Sequence, residues 1–69
     1  MKFNDGDYAV VREGILKNNI LIDLDMEDGM VTGRFSGLPQ RYKVEVFDII
    51  SFFGEDHNPL IFRTSSPDN

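Results

Sequence analysis

The segment Ile20-Leu-Ile-Asp-Leu-Asp-Met26, followed by Glu27-Asp28-Gly29 and then Met30-Val-Thr-Gly-Arg-Phe35, alternates apolar and polar residues on both sides of an Asp-Gly pair. Period-two alternation on either side of two residues that tolerate positive φ specifies a β-hairpin and little else. On the first arm Ile20, Ile22, Leu24 and Met26 form the apolar set and are expected to face the core. Leu21, Asp23 and Asp25 then point away, because a slip of one residue would bury two carboxylates. On the second arm Val31, Gly33 and Phe35 are more apolar than Met30, Thr32 and Arg34, and Gly33 suits a bulge or a close backbone contact.

The rest of the chain reads as further short strands. Tyr8-Ala-Val-Val-Arg12 is a first strand, interrupted by Glu13-Gly14. Ile15-Leu-Lys-Asn-Asn19 follows as a folded loop in which Asn18 and Asn19 tolerate left-handed backbone. Ser36–Gln40 is a turn by composition. Tyr42–Phe47 resumes alternation with Tyr42, Val44 and Val46 on one side, and Asp48–Ser51 forms either one helical turn or a continuation into Phe52-Phe53. Ile49 and Ile50 supply core in both cases. Gly54–Pro59 breaks the pattern; Leu60–Arg63 is long enough for a last edge strand through which copies can associate, and residues 64–69 form a tail.

With 69 residues the chain makes one domain, spanning 1–63, with a thin core. Cysteine is absent, so neither disulfides nor thiolate metal sites contribute. Nothing resembles a signal peptide or a membrane span, and a cytoplasmic location is the expectation. Twelve acidic against seven basic side chains give a net charge of −5. That balance opposes a phosphate backbone and favours a protein partner of basic character.

Five short antiparallel strands, a long first loop, a tight Asp-Gly hairpin and a helical turn before the last strand resemble an SH3-like barrel, and a small all-β barrel is the expected fold. Within it, residues 6–19, Gly-Asp-Tyr-Ala-Val-Val-Arg-Glu-Gly-Ile-Leu-Lys-Asn-Asn, resemble the KOW pattern of NusG-type transcription factors and some ribosomal proteins. Gly14 and Lys17 stand where that pattern places a glycine and a basic loop residue, and asparagine replaces glycine near positions 18 and 19. The resemblance implies binding to RNA or to another protein.

No constellation for catalysis emerges. Asp23, Asp25, Glu27 and Asp28 gather four carboxylates, but a calcium loop starting at Asp23 would need glycine at Asp28 and glutamate at Arg34. His57, beside Glu55 and Asp56, has no nucleophile oriented toward it. Gly33 and Gly37 lie between strands, not ahead of a helix, so no phosphate loop exists. No cofactor or metal is expected.

The reading that remains is a non-enzymatic interaction module with an accessory, inhibitory or immunity-type role. Its candidate anchors are Tyr8, Phe47, Phe52 and Phe53, since exposed aromatics bury large area at low entropic cost. Asp23, Asp25 and Asp28 form a charged rim. The alternative is an RNA- or ribosome-associated domain in which Arg12, Lys17, Arg41 and Lys43 contact phosphates while rings stack on bases.

Overall fold

The computed structural model describes residues 2–61. They form five strands, β1 (Tyr8–Ile15), β2 (Asn18–Glu27), β3 (Met30–Phe35), β4 (Arg41–Val44) and β5 (Ile49–Phe53), with one 3₁₀ turn over Val46–Asp48. All neighbouring pairs are antiparallel, in a single sheet of order β4-β3-β2-β1-β5. The all-β class matches the expectation. Among the described residues β4 and β5 do not pair, so the sheet stays open where a closed barrel would join them.

The Asp-Gly hairpin is present: Glu27 faces Met30 across Asp28 (φ 53°) and Gly29 (φ 76°), two consecutive positive-φ residues as a two-residue hairpin turn of the favoured hand requires. The first loop is different from the expected one. β1 runs on through Glu13-Gly14, Ile15 pairs with Asn18, and Leu16 (φ 52°) and Lys17 (φ 65°) make the turn. The asparagines instead use their side chains. Asn19 Nδ2 donates to the carbonyl of Val11 (2.9 Å), Asn18 Nδ2 donates to that of Ser36 (2.7 Å), and Asn18 Oδ1 accepts from the Ile20 amide (3.0 Å). The bond to Val11 occupies a backbone group where the β1–β2 register is irregular, between Val10 and Ile15. Gly14 is obligatory there, since a Cβ would stand 1.7 Å from the Asn18 carbonyl oxygen.

The larger correction concerns β2. Leu21 is fully buried in the core with Ala9, Val11, Val31, Phe35 and Ile49, and Leu24 and Met26 pack against that cluster. Ile20 and Ile22 do not belong to it. Ile22 and Leu24 therefore lie on opposite sides of the sheet, contrary to unbroken alternation. The cause is a bulge. Three steps on β2, from Ile22 to Asp25, span two on β3, from Arg34 to Thr32, and the extra residue reverses the facing of everything beyond it. Asp23 takes φ 54° at this point. Gly33 stands opposite, where a Cβ would meet the Ile22 carbonyl oxygen at 2.6 Å and Leu21 Cγ at 2.8 Å.

The last part of the sheet also departs from the alternation. β4 ends at Val44, and the amide of Asp48 donates to the carbonyl of Glu45 (2.8 Å) to form the 3₁₀ turn, which begins two residues earlier than expected. Val46 is consequently exposed, not inward. In β5, Val10 pairs with Ser51 but Val11 with Ile49, so Ile50 is bulged outward while Ile49 is buried. Leu60 and Ile61 are not in a strand; Pro59 makes a single bridge to Phe53. The remainder of the expected last strand and the tail, 62–69, lie outside the described residues.

The bulge makes a definite energetic prediction. Gly33→Ala should destabilise the domain by about 2 kcal/mol or more in urea denaturation, because the new methyl meets backbone that cannot rotate away. A variant as stable as the parent would contradict the close approach described here.

Candidate functional site

Pairing across the sheet assigns each side chain to a face, because residues directly opposite share one. Phe52, Ala9, Leu21 and Phe35 form one row on the inner face. Phe53, Tyr8, Ile22, Arg34 and Arg41 form the adjacent row on the outer face, with Ser51, Val10 and Ile20 beside it. The outer face is divided into an apolar half on β5-β1-β2 and a charged half on β2-β3-β4.

In the apolar half Tyr8 stacks on Phe53, with ring centroids 5.3 Å apart and 21° between planes. The Tyr8 hydroxyl is 2.8 Å from His57 Nδ1, and Tyr8, Ile20, Ile22 and His57 line a shallow open pocket of about 480 Å³. His57 reaches over the sheet because 54–58 is a tight loop. The His57 amide donates to the Gly54 carbonyl (2.8 Å) and the Gly54 amide to the Asn58 carbonyl (2.9 Å). The Asp56 carboxylate accepts from the Asn58 amide (3.0 Å) and from its Nδ2 (2.8 Å). The bond from the Asn58 backbone is the main reason the Asp56 carboxyl is held below its ordinary value of 3.8. In the tautomer that leaves Nδ1 without a hydrogen, His57 accepts the hydrogen bond of the Tyr8 hydroxyl there.

In the charged half the predicted rim and the predicted phosphate contacts engage one another. Arg34 Nε bonds the Asp23 carboxylate at 2.6 Å, and Arg41 Nη2 donates to the Asp23 carbonyl (2.9 Å) and to Thr32 Oγ1 (3.1 Å). Lys43 Nζ lies 3.6 Å from carboxylate oxygens of both Glu27 and Asp28, and Asp25 Oδ1 accepts from the Met26 amide (2.8 Å). These are exposed pairs, each worth at most about 1 kcal/mol. They flank a polar groove of about 630 Å³. Among the described residues no group of three or more His, Cys, Asp or Glu is arranged to hold a metal ion.

The 3₁₀ turn presents a third surface. Phe47 is 80% exposed, Ile50 56% and Val46 42%. Arg12 holds Phe47 from below: its guanidinium carbon lies 5.8 Å from the ring centroid, and its Nε donates to the Phe47 carbonyl at 3.3 Å. Lys17 is exposed in the β1–β2 turn.

The four aromatic anchors named from sequence therefore fall on three surfaces. Tyr8 and Phe53 are on the outer face, Phe52 packs against the core with its ring 5.4 Å from that of Phe3 and tilted 35° to it, and Phe47 is on the turn. Ile20, Ile22, Val46, Ile50 and His57 were not among the sequence candidates. No alternation rule marks Ile50, whose exposure follows from the β5 bulge. No family model matches the chain, and no curated protein or solved structure matches it. No helix among the described residues is long and apolar enough to cross a membrane.

The loop geometry fixes a pH response. A carboxyl whose folded value lies below 3.8 contributes its bonds above that value and loses them as the pH falls through the lower one. The Asn58 amide proton, followed by NMR, should shift with a midpoint below 3.8 and show no such step in Asp56→Ala. The absence of any acid step in the parent would contradict the bond from the Asn58 amide to the Asp56 carboxylate.

Proposed function

We propose that this chain is a non-enzymatic protein-interaction module that docks through the surface of the 3₁₀ turn, with Phe47 as anchor and Val46, Ile50 and Arg12 around it. The observation that carries this reading is the 80% exposure of a phenylalanine whose backbone and ring are both held in place by one arginine. An aromatic side chain fixed before contact loses little rotamer freedom on binding, and aromatic and arginine residues dominate interface energetics. Apolar side chains clustered at the surface outside a core mark contact sites.

Charge supports a protein over a nucleic acid. Of the four cations in the RNA alternative, Arg12 is occupied by Phe47, Arg41 by Asp23 and Thr32, and Lys43 by Glu27 and Asp28. Lys17 alone has no bonded partner among the described residues, and the net charge of −5 repels phosphates. The SH3-like reading is supported by the strand count, the Asp-Gly hairpin and the short turn before β5, while the two-residue β1–β2 turn replaces the long first loop expected of it. A cytoplasmic setting belongs to the same reading.

Phe47→Ala should leave the urea midpoint nearly unchanged and reduce recovery of the native partner, in affinity purification from the native host, by about thirtyfold, the effect of a strong interface residue. Undiminished recovery, or RNA as the bound species, would overturn the proposal.

A further inference from the structure

The two edges of the sheet are not equivalent. On the outer side of β5 the Leu60 amide donates to the Phe52 carbonyl (2.8 Å) and Pro59 bridges Phe53, so that edge is already engaged by its own chain. β4 pairs with β3 alone among the described residues, and an open strand edge is a template for another strand.

The side chains of β4 restrict which strand can add. Tyr42 and Val44 pack against the core on the inner face, while Arg41 and Lys43 are exposed on the outer one. Residues directly opposite in a ladder share a face. An added strand must therefore set apolar residues against Tyr42 and Val44, and a carboxylate wherever it meets an uncompensated cation. Lys43 is already compensated, since its Nζ lies 3.6 Å from both Glu27 and Asp28. Arg41 is not: its Nη2 donates to the Asp23 carbonyl and to Thr32 Oγ1, both neutral oxygens. At the other end of the same edge Glu45 continues the extended backbone (φ −66°, ψ 141°), is exposed and has no ion pair among the described residues. The segment 41–45 thus carries a free cation at one end, a free anion at the other and a compensated lysine midway between them.

Such a segment is complementary to itself when reversed. We infer that β4 pairs antiparallel with β4 of a second copy about a two-fold axis through Lys43, joining the two sheets edge to edge. Arg41 then stands opposite Glu45 of the second copy and Tyr42 opposite its Val44, and the symmetry makes each pair twice. Lys43 faces its own counterpart, each held between the Glu27 and Asp28 of its own chain. Other registers fit less well. An axis through Tyr42 would set Arg41 against the second copy's Lys43, and one through Val44 would draw Val46 of the 3₁₀ turn into the ladder and leave Arg41 without a carboxylate. A slip of half a step would set Tyr42 against lysine. Glu13 and Asp48, which line the cleft beside β4 together with Glu45, belong to β1 and the 3₁₀ turn and lie outside the paired segment. The net charge of −5 on each copy opposes the contact from a distance, and physiological salt screens it beyond about 8 Å.

The test is the oligomeric state of the whole chain at physiological ionic strength. Sedimentation equilibrium at NMR concentrations should give twice the chain mass of 7.9 kDa. Glu45→Arg places arginine opposite Arg41 at both ends and should weaken the dimer about tenfold or more; Arg41→Glu should do the same by placing glutamate opposite Glu45. Mixing the two variants restores both ion pairs and should recover a dimer of parental affinity. Because Arg41→Glu also removes the bonds to Asp23 and Thr32, a second measurement uses the parent alone. Isotope-filtered NOEs between labelled and unlabelled chains should connect the Tyr42 ring to the Val44 methyls. A monomer in sedimentation, an undiminished dimer for Glu45→Arg, or intermolecular NOEs confined to another surface would each overturn the inference.

Discussion

Midway along β2 the carbonyl oxygen of Ile22 comes so close to Gly33 that no side chain fits between them, and the chain steps out by one residue at Asp23. This bulge decides which residues form the core. Before it, Leu21 faces inward with Ala9 and Phe35; after it, Leu24 and Met26 do. Without the extra residue the strand would send either Leu21 or Leu24 outward. Arg34 and Arg41 close on the displaced residue, one at its carboxylate and the other at its carbonyl, so the bulge is held by hydrogen bonds as well as by sterics. The exposed ion pair contributes little by itself; the glycine is the stronger determinant.

The same irregularity gives the protein its surfaces. Because the facing reverses at Asp23, Ile20 and Ile22 join Tyr8 and Phe53 outside the core, and the polar residues beyond the bulge join β3 and β4 in a charged half. The second irregularity, in β5, ejects Ile50 beside the 3₁₀ turn. Apolar side chains that simple alternation would have buried are displayed instead.

Much of the fold was legible in the sequence because it rests on local rules. The Asp28-Gly29 turn, the inward set of β3 and the approximate positions of four strands follow from alternation and from residues that tolerate positive φ. A bulge is not local in this sense. Its position depends on how closely Gly33 approaches its neighbour, and the sequence marks only that a glycine is present. For the same reason Ile22 was placed on the wrong side and Ile50 in the core. The β1–β2 turn was misplaced because Asn18 and Asn19 were read as backbone pivots, whereas their amides bond the carbonyls of Ser36 and Val11 and leave the turn to Leu16 and Lys17. Phe47 was singled out correctly as lying off the core face, but the arginine that holds it comes from 35 residues away, a pairing that no short-range pattern contains.

The most direct test of the reversed facing compares Leu21→Ser with Ile22→Ser by urea denaturation. A bulged β2 predicts that the first loses about 3 kcal/mol or more and the second about 1 kcal/mol or less, since only Leu21 leaves a cavity in the packed core. Equal losses, or a larger loss at Ile22, would mean that β2 alternates without interruption, and the assignment of both faces would fail with it.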